Sequence, residues 1–160
     1  MYSDEIKRIL IVDDNREIHY DFRKILTHDP TLSQAQEAEA LFFGDENHTD
    51  NPGPQFEIFD AFQGKEALEI VKADLAAGQT FDMVFVDMRM PPGWDGLETI
   101  RQIREVDPAI QVVLCTAYSD HSWEDIVDDL GDENLFLLKK PFDPERAVQL
   151  AHELAATSER

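Results

Sequence analysis

At 160 residues the chain is long enough for one domain with its own core, and its 42% hydrophobic content is incompatible with wholesale disorder. A formal charge of −20 repels nucleic-acid phosphate and favours Mg²⁺ or a basic partner surface, so this segment is expected to bind neither DNA nor RNA. No apolar run reaches the length of a membrane span and no signal-peptide segment opens the chain; the lone cysteine, Cys115, excludes an internal disulfide and a cysteine-rich zinc site, and these features together point to the cytoplasm.

The run Ile6 to Val12 predicts a first strand, which ends in Asp13-Asp14. Ile18, Phe22, Ile25 and Leu26 recur at helical spacing and predict a helix over Arg16 to Thr27, ended by Asp29-Pro30. Leu32 to Phe43 carries strong helix formers with a weak apolar stripe, and Gly44 to Gln55 is polar with Asn, Asp, Gly and two prolines. The segment from about 29 to 55 is long for a helix–strand connection and reads as an insertion, a short helix followed by a loop. Phe42-Phe43 would either anchor it to the body or form a partner surface.

Phe56 to Phe62 predicts the second strand, with Gly64 as a turn. Ala67, Leu68, Val71 and Leu75 mark a second helix capped by Gly78. The short run Phe81 to Asp87 is rich in Val and Phe and reads as a buried parallel strand that delivers Asp87 to a Pro/Gly-rich loop. Leu97, Ile100, Ile103 and Val106 mark a third helix closed by Asp107-Pro108. Ile110 to Cys115 is a fourth strand ending at Thr116-Ala117, and Trp123, Ile126, Val127 and Leu130 form one face of a fourth helix stopped at Gly131. Leu135 to Leu138 is a fifth strand ending in Lys139-Lys140-Pro141. Asp143 caps a last helix with Pro144 at its first position and Leu150, Ala151 and Leu154 on its inner face. Five strand–helix alternations predict one α/β domain over 1–160, with a core of about 6–156, a parallel sheet and helices on both faces.

In a parallel sheet every carboxyl end lies on one edge. Strand one brings Asp13 and Asp14 there, strand three Asp87, strand four Thr116 and strand five Lys140; strand two brings nothing distinctive. Taken singly, these residues have plainer readings. Asp13-Asp14 could cap the following helix, Asp87 could be a turn residue, and Lys140 could be a solvated charge. Taken together, three carboxylates repel unless a cation holds them, and oxygen ligands favour Mg²⁺. A carboxylate nucleophile with Mg²⁺, a lysine and a hydroxyl beside it suits phosphoryl transfer.

Ile-Leu-Ile-Val-Asp-Asp at 9–14, Val-Asp-Met-Arg-Met-Pro at 86–91 with Asp95-Gly96, Cys115-Thr116-Ala117 and Lys139-Lys140-Pro141-Phe142 resemble, as a set, the receiver domain of two-component response regulators. The resemblance runs from about Lys7 to Leu154, apart from the insertion. It implies the flavodoxin-like sheet of order 2-1-3-4-5. It also implies Asp87 as phosphoacceptor, with Asp14 a direct Mg²⁺ ligand, Asp13 acting through water and the Arg89 backbone carbonyl a further ligand. Thr116 would be the switch hydroxyl and Lys140 the site lysine, with Lys139 its runner-up and a cis bond to Pro141. The partners implied are a sensor histidine kinase or phosphotransfer domain and an output domain or partner protein, with homodimerisation through the face of the fourth helix, fifth strand and fifth helix. Such a domain catalyses its own phosphorylation from phosphohistidine and its slow dephosphorylation. Met-Arg-Met-Pro-Pro-Gly-Trp-Asp-Gly at 88–96 and the insertion are similar to receivers attached to hybrid sensor kinases and other multidomain signalling proteins.

Two departures from the family pattern stand out. The loop Pro91 to Gly96 carries one residue more than usual, with Trp94 either shielding Asp87 or merely flexible. The aromatic switch position holds Leu137, while Phe136 should face the other way, leaving Tyr118 or Trp123 to couple to Thr116. Cys115 is expected to be a buried core thiol, and His121 either lies near the phosphoryl pocket or only packs. The alternative functions are a phosphorylation-independent pseudo-receiver and a metal-dependent phosphohydrolase.

Overall fold

The computed structural model describes residues 6–27, 55–116, 123–131, 133–140 and 143–157. In chain order they form β1 (Ile6–Val12), α1 (Arg16–Thr27), β2 (Gln55–Ala61), α2 (Gly64–Ala76), β3 (Met83–Asp87), α3 (Gly96–Val106), β4 (Gln111–Thr116), α4 (Trp123–Leu130), β5 (Leu135–Lys139) and α5 (Pro144–Thr157). The five strands make one sheet of order β2-β1-β3-β4-β5, and every neighbouring pair is parallel. This is the flavodoxin-like order that the sequence motifs imply.

The continuous apolar runs of β3 and β4 follow from burial on both faces, since helices cover each side of a parallel sheet. Side chains alternate along β3. Met83 and Phe85 join Phe22, Val113, Leu150 and Leu154 in one core, while Val84 and Val86 join Ile100, Ile103, Leu114 and Ile126 in the other. The same alternation operates in β5, where Phe136 packs against the first core and Leu137 against the second. The expectation that these two residues face apart therefore holds.

Local stop signals act where the spacing predicts. Gly78 and Gly131 adopt positive φ just past α2 and α4, a conformation that glycine reaches without steric cost. β3 begins two residues later than the apolar run, because Phe81 and Asp82 enter the sheet through a tie: Asp82 N–H donates to Arg8 O at 2.9 Å, and Arg8 N–H donates to Asp82 Oδ2 at 2.8 Å. Helix α4 departs from the expected packing. Ile126 is its buried residue, and Trp123 is 41% exposed rather than part of a packed face. The predicted insertion falls outside the described residues except at Gln55, which opens β2. The readings made for Tyr118, His121 and Pro141 also lie outside them.

Candidate functional site

The parallel register sets the carboxyl edge. Asp87 ends β3 opposite Cys115, which places Thr116 one residue further along β4, opposite Lys139. Lys140 N–H donates to Thr116 O at 2.8 Å and Met88 N–H donates to Cys115 O at 2.9 Å, so the three strand ends are tied together. Asp13 follows β1 directly, and its N–H donates to Ala61 O at 3.1 Å.

Asp13, Asp14 and Asp87 each offer one carboxylate oxygen, and these oxygens lie within 4.8 Å of one another. Asp13 and Asp87 are buried and Asp14 is exposed. Lys140 Nζ lies 2.8 Å from Asp87 Oδ1 and 3.4 Å from Asp13 Oδ2. Lys139, the runner-up, is exposed one residue earlier on the edge strand. The helix-cap reading of the acidic pair does not hold. Asn15 Oδ1 accepts from Glu17 N–H at 2.9 Å at the start of α1, while Asp13 Oδ1 accepts from Asn15 N–H at 2.9 Å. Thr116 is buried at the end of β4, and Arg89 lies two residues past Asp87 on the exposed side of the loop.

Burial, reinforced by the charges of Asp13 and Asp14, raises the pKa of Asp87 above the usual carboxylate value against the opposing hydrogen bond from Lys140. Burial also works against the charge of Lys140. Its hydrogen bond to Asp87 and the charges of Asp13 and Asp87 outweigh that penalty and raise its pKa. The site is thus short of positive charge. A donor set of carboxylate oxygens alone fits a hard divalent cation such as Mg²⁺ and does not suit a soft metal. Cys115, buried beside this edge, has its thiol pKa pushed well above the ordinary range by desolvation.

The loop after β3 is fastened at its far end. Gly96 N–H donates to Met88 O at 2.7 Å, and a Cβ at Gly96 would lie 2.6 Å from Asp87 O and 2.9 Å from Met88 Cα. Only glycine permits that approach. Asp95 Oδ1 accepts from Glu98 N–H at 2.9 Å and caps α3. Between these points the Pro91–Pro92 bond is cis, and Trp94 is half-buried with Lys65 Nζ 5.7 Å from its ring centre.

Strand two contributes more than expected. Asp60, near the end of β2, meets His19 Nδ1 at 2.9 Å and Arg23 Nη2 at 2.5 Å. His19 Nε2 lies 2.7 Å from Asp13 O. The spacing of His19 and Arg23, one helical turn apart, was the available signal. Without the β1–β2 register that sets Ile11 against Asp60, nothing linked them to the site.

A 2-1-3-4-5 sheet carrying an acidic cluster and a lysine at its carboxyl edge defines a flavodoxin-like α/β domain with a polar site at the strand ends. The chain belongs to the response regulator receiver domain family, whose model matches residues 51–152. β1 and α1 precede that match, and β1 lies in the same sheet between β2 and β3.

Among characterised proteins, the chain is 41% identical over 83 residues to the transcriptional regulatory protein ZraR of Escherichia coli, covering 52% of this chain and 17% of ZraR. It is 33% identical over 88 residues to the sporulation initiation phosphotransferase F of Bacillus subtilis, covering 55% of this chain and 64% of that protein. The crystal structure of a response regulator receiver protein from Sinorhizobium medicae superposes with a TM-score of 0.64 at 23% identity, covering 98% of this chain and all of that one, which shows a shared fold. The chain spans less than two thirds of the length of ZraR and of the Bacillus phosphotransferase, and the expectation of no nucleic-acid contact applies to this segment alone. Among the described residues no helix is long and apolar enough to cross a membrane.

Proposed function

We propose that the chain is a phosphoacceptor receiver that takes a phosphoryl group from a phosphohistidine onto Asp87. The observation that carries this reading is the cluster of Asp13, Asp14 and Asp87 within 4.8 Å, with Lys140 Nζ 2.8 Å from Asp87. In the transfer, an oxygen of Asp87 attacks phosphorus and forms the new O–P bond. The P–N bond to the donor imidazole breaks, and the imidazole leaves with its electron pair and takes up a proton. Lys140 neutralises charge on the phosphoryl oxygens, and the Thr116 hydroxyl donates to one of them. Asp14, Asp13 through water, Asp87 and the Arg89 carbonyl are the residues that would hold Mg²⁺. When bound, the ion supplies positive charge to the phosphoryl oxygens.

The donor is a sensor histidine kinase or phosphotransfer domain, and the fate of the signal rests with an output domain or partner that reads the α4–β5–α5 face. The phosphotransferase named among the relatives supports the relay reading. The whole chain is one receiver with an insertion at about 29–55. Adding Mg²⁺ and beryllofluoride while following tryptophan fluorescence tests the site. A saturable change in wild type that is absent in Asp87→Asn is the expected result. An equal response in both proteins rejects Asp87, and no response in either favours the phosphorylation-independent module.

A further inference from the structure

We propose that His19 is a positioning residue for the acidic pair, held in turn by Asp60 and Arg23, and that this chain of contacts sets the site's affinity for a divalent cation. The inference rests on the metal-binding reading above.

His19 is 4% exposed and stands on α1, and its ring packs 4.4 Å from that of Phe62. A carbonyl oxygen only accepts, so the contact between His19 Nε2 and Asp13 O is an N–H donated by the ring. On the other side of the ring, Nδ1 faces Asp60 Oδ1 at 2.9 Å. Asp60 is fixed by Arg23, whose Nη2 also donates to Ile58 O at 3.2 Å. The result is a continuous line from the exposed flank of α1, across the end of β2, to the backbone of the first acidic residue.

The target of this line is what gives it leverage. The Asp13 carbonyl lies in the rigid peptide plane that joins Asp13 to Asp14. Turning that plane swings the Cα of Asp14 and re-aims its carboxylate. Asp13 itself is also held at N–H by Ala61 O and at its carboxylate by Asn15 N–H and Lys140 Nζ. Asp14 is exposed, and its placement follows from its neighbour's backbone. Among the described contacts, His19 supplies the one that fixes this peptide plane at its oxygen. Residues that hold a ligand from behind typically change metal affinity by about 10- to 100-fold when removed.

Isothermal titration of the full chain with Mg²⁺ tests the proposal, with thermal unfolding in EDTA run on each variant. His19→Leu keeps bulk against Phe62 but removes the donor, and its Mg²⁺ affinity is expected to fall by about tenfold. His19→Gln restores an N–H toward Asp13 O and is expected to recover most of the affinity. Asp60→Ala leaves the core intact and is expected to weaken binding severalfold, which keeps the test decisive if His19→Leu does not fold. Unchanged affinity in His19→Leu or in Asp60→Ala overturns the proposal, as does a folded His19→Gln that binds as weakly as His19→Leu. A wild-type protein that shows no Mg²⁺ heat at all overturns the metal-site reading instead, so the two failures are distinguishable.

Discussion

Removing the negative charge of Asp87 should make the metal-free protein more stable. At an effective dielectric of about 20, charges no more than 4.8 Å apart repel by at least about 3.5 kcal/mol and charges 2.8 Å apart attract by about 6 kcal/mol. Asp13 and the more screened Asp14 therefore act on Asp87 with roughly the strength of Lys140 and the opposite sign. With these contributions nearly offset, burial decides, and it disfavours the charged form. Asp87→Asn keeps the shape and leaves Lys140 its contact with Asp13 at 3.4 Å. The expected gain is about 1 kcal/mol, or roughly 2–4 °C in Tm for a domain of this size. The pKa of Asp87 is raised in the folded state, so the cost of its charge is present above the folded pKa and absent below the unfolded one. The gain should therefore appear at pH 7.5 and vanish as the pH falls toward 4. Thermal unfolding in EDTA at the two pH values measures it. Saturating Mg²⁺ should close or reverse the difference by stabilising wild type. A lower Tm for Asp87→Asn in EDTA at pH 7.5 would refute the reasoning, because the Lys140 pair would then outweigh burial and repulsion together.

Gly96→Ala forces a Cβ against Asp87 O and Met88 Cα, two backbone groups that cannot give cheaply. It should destabilise by about 1–3 kcal/mol in urea unfolding and slow acquisition of a phosphoryl group, because the strain falls on Asp87 itself. Cys115 is buried with a raised thiol pKa, so it should resist iodoacetamide at pH 8 in the folded protein and react quickly in denaturant, as read by intact mass. Ile126 is the buried anchor of α4, and truncation of such a residue costs about 2–5 kcal/mol. Ile126→Ala should therefore speed amide exchange across Trp123–Leu130 far more than across β3.

The residues legible in the sequence were those whose environment repeats along the chain. Burial on both faces made Met83 to Val86 an unbroken apolar run, and parallel topology then sent Asp87 and Lys140 to one edge. Glycines with positive φ at 78 and 131 announced two helix ends. The part that was not legible depends on which neighbour lies opposite. Trp123 has helical spacing with Ile126 and Leu130, yet spacing defines a face without showing what covers its first turn. His19 and Asp60 meet only because β2 pairs with β1 across a long connection, and neither residue carries a motif. The competing cap reading of Asp13-Asp14 was decided by Asn15, whose side chain takes the helix N-terminus and leaves the carboxylates to the site.

The central claim is that Asp87 accepts a phosphoryl group, and phosphoramidate tests it most directly because its P–N bond mimics the phosphohistidine donor. Incubated with phosphoramidate and Mg²⁺, wild type should gain the mass of one phosphoryl group, mapped to the peptide containing Asp87, and should lose it on standing. Asp87→Asn should gain none. A phosphoryl group of equal occupancy in Asp87→Asn, or one mapped elsewhere in wild type, would contradict the account.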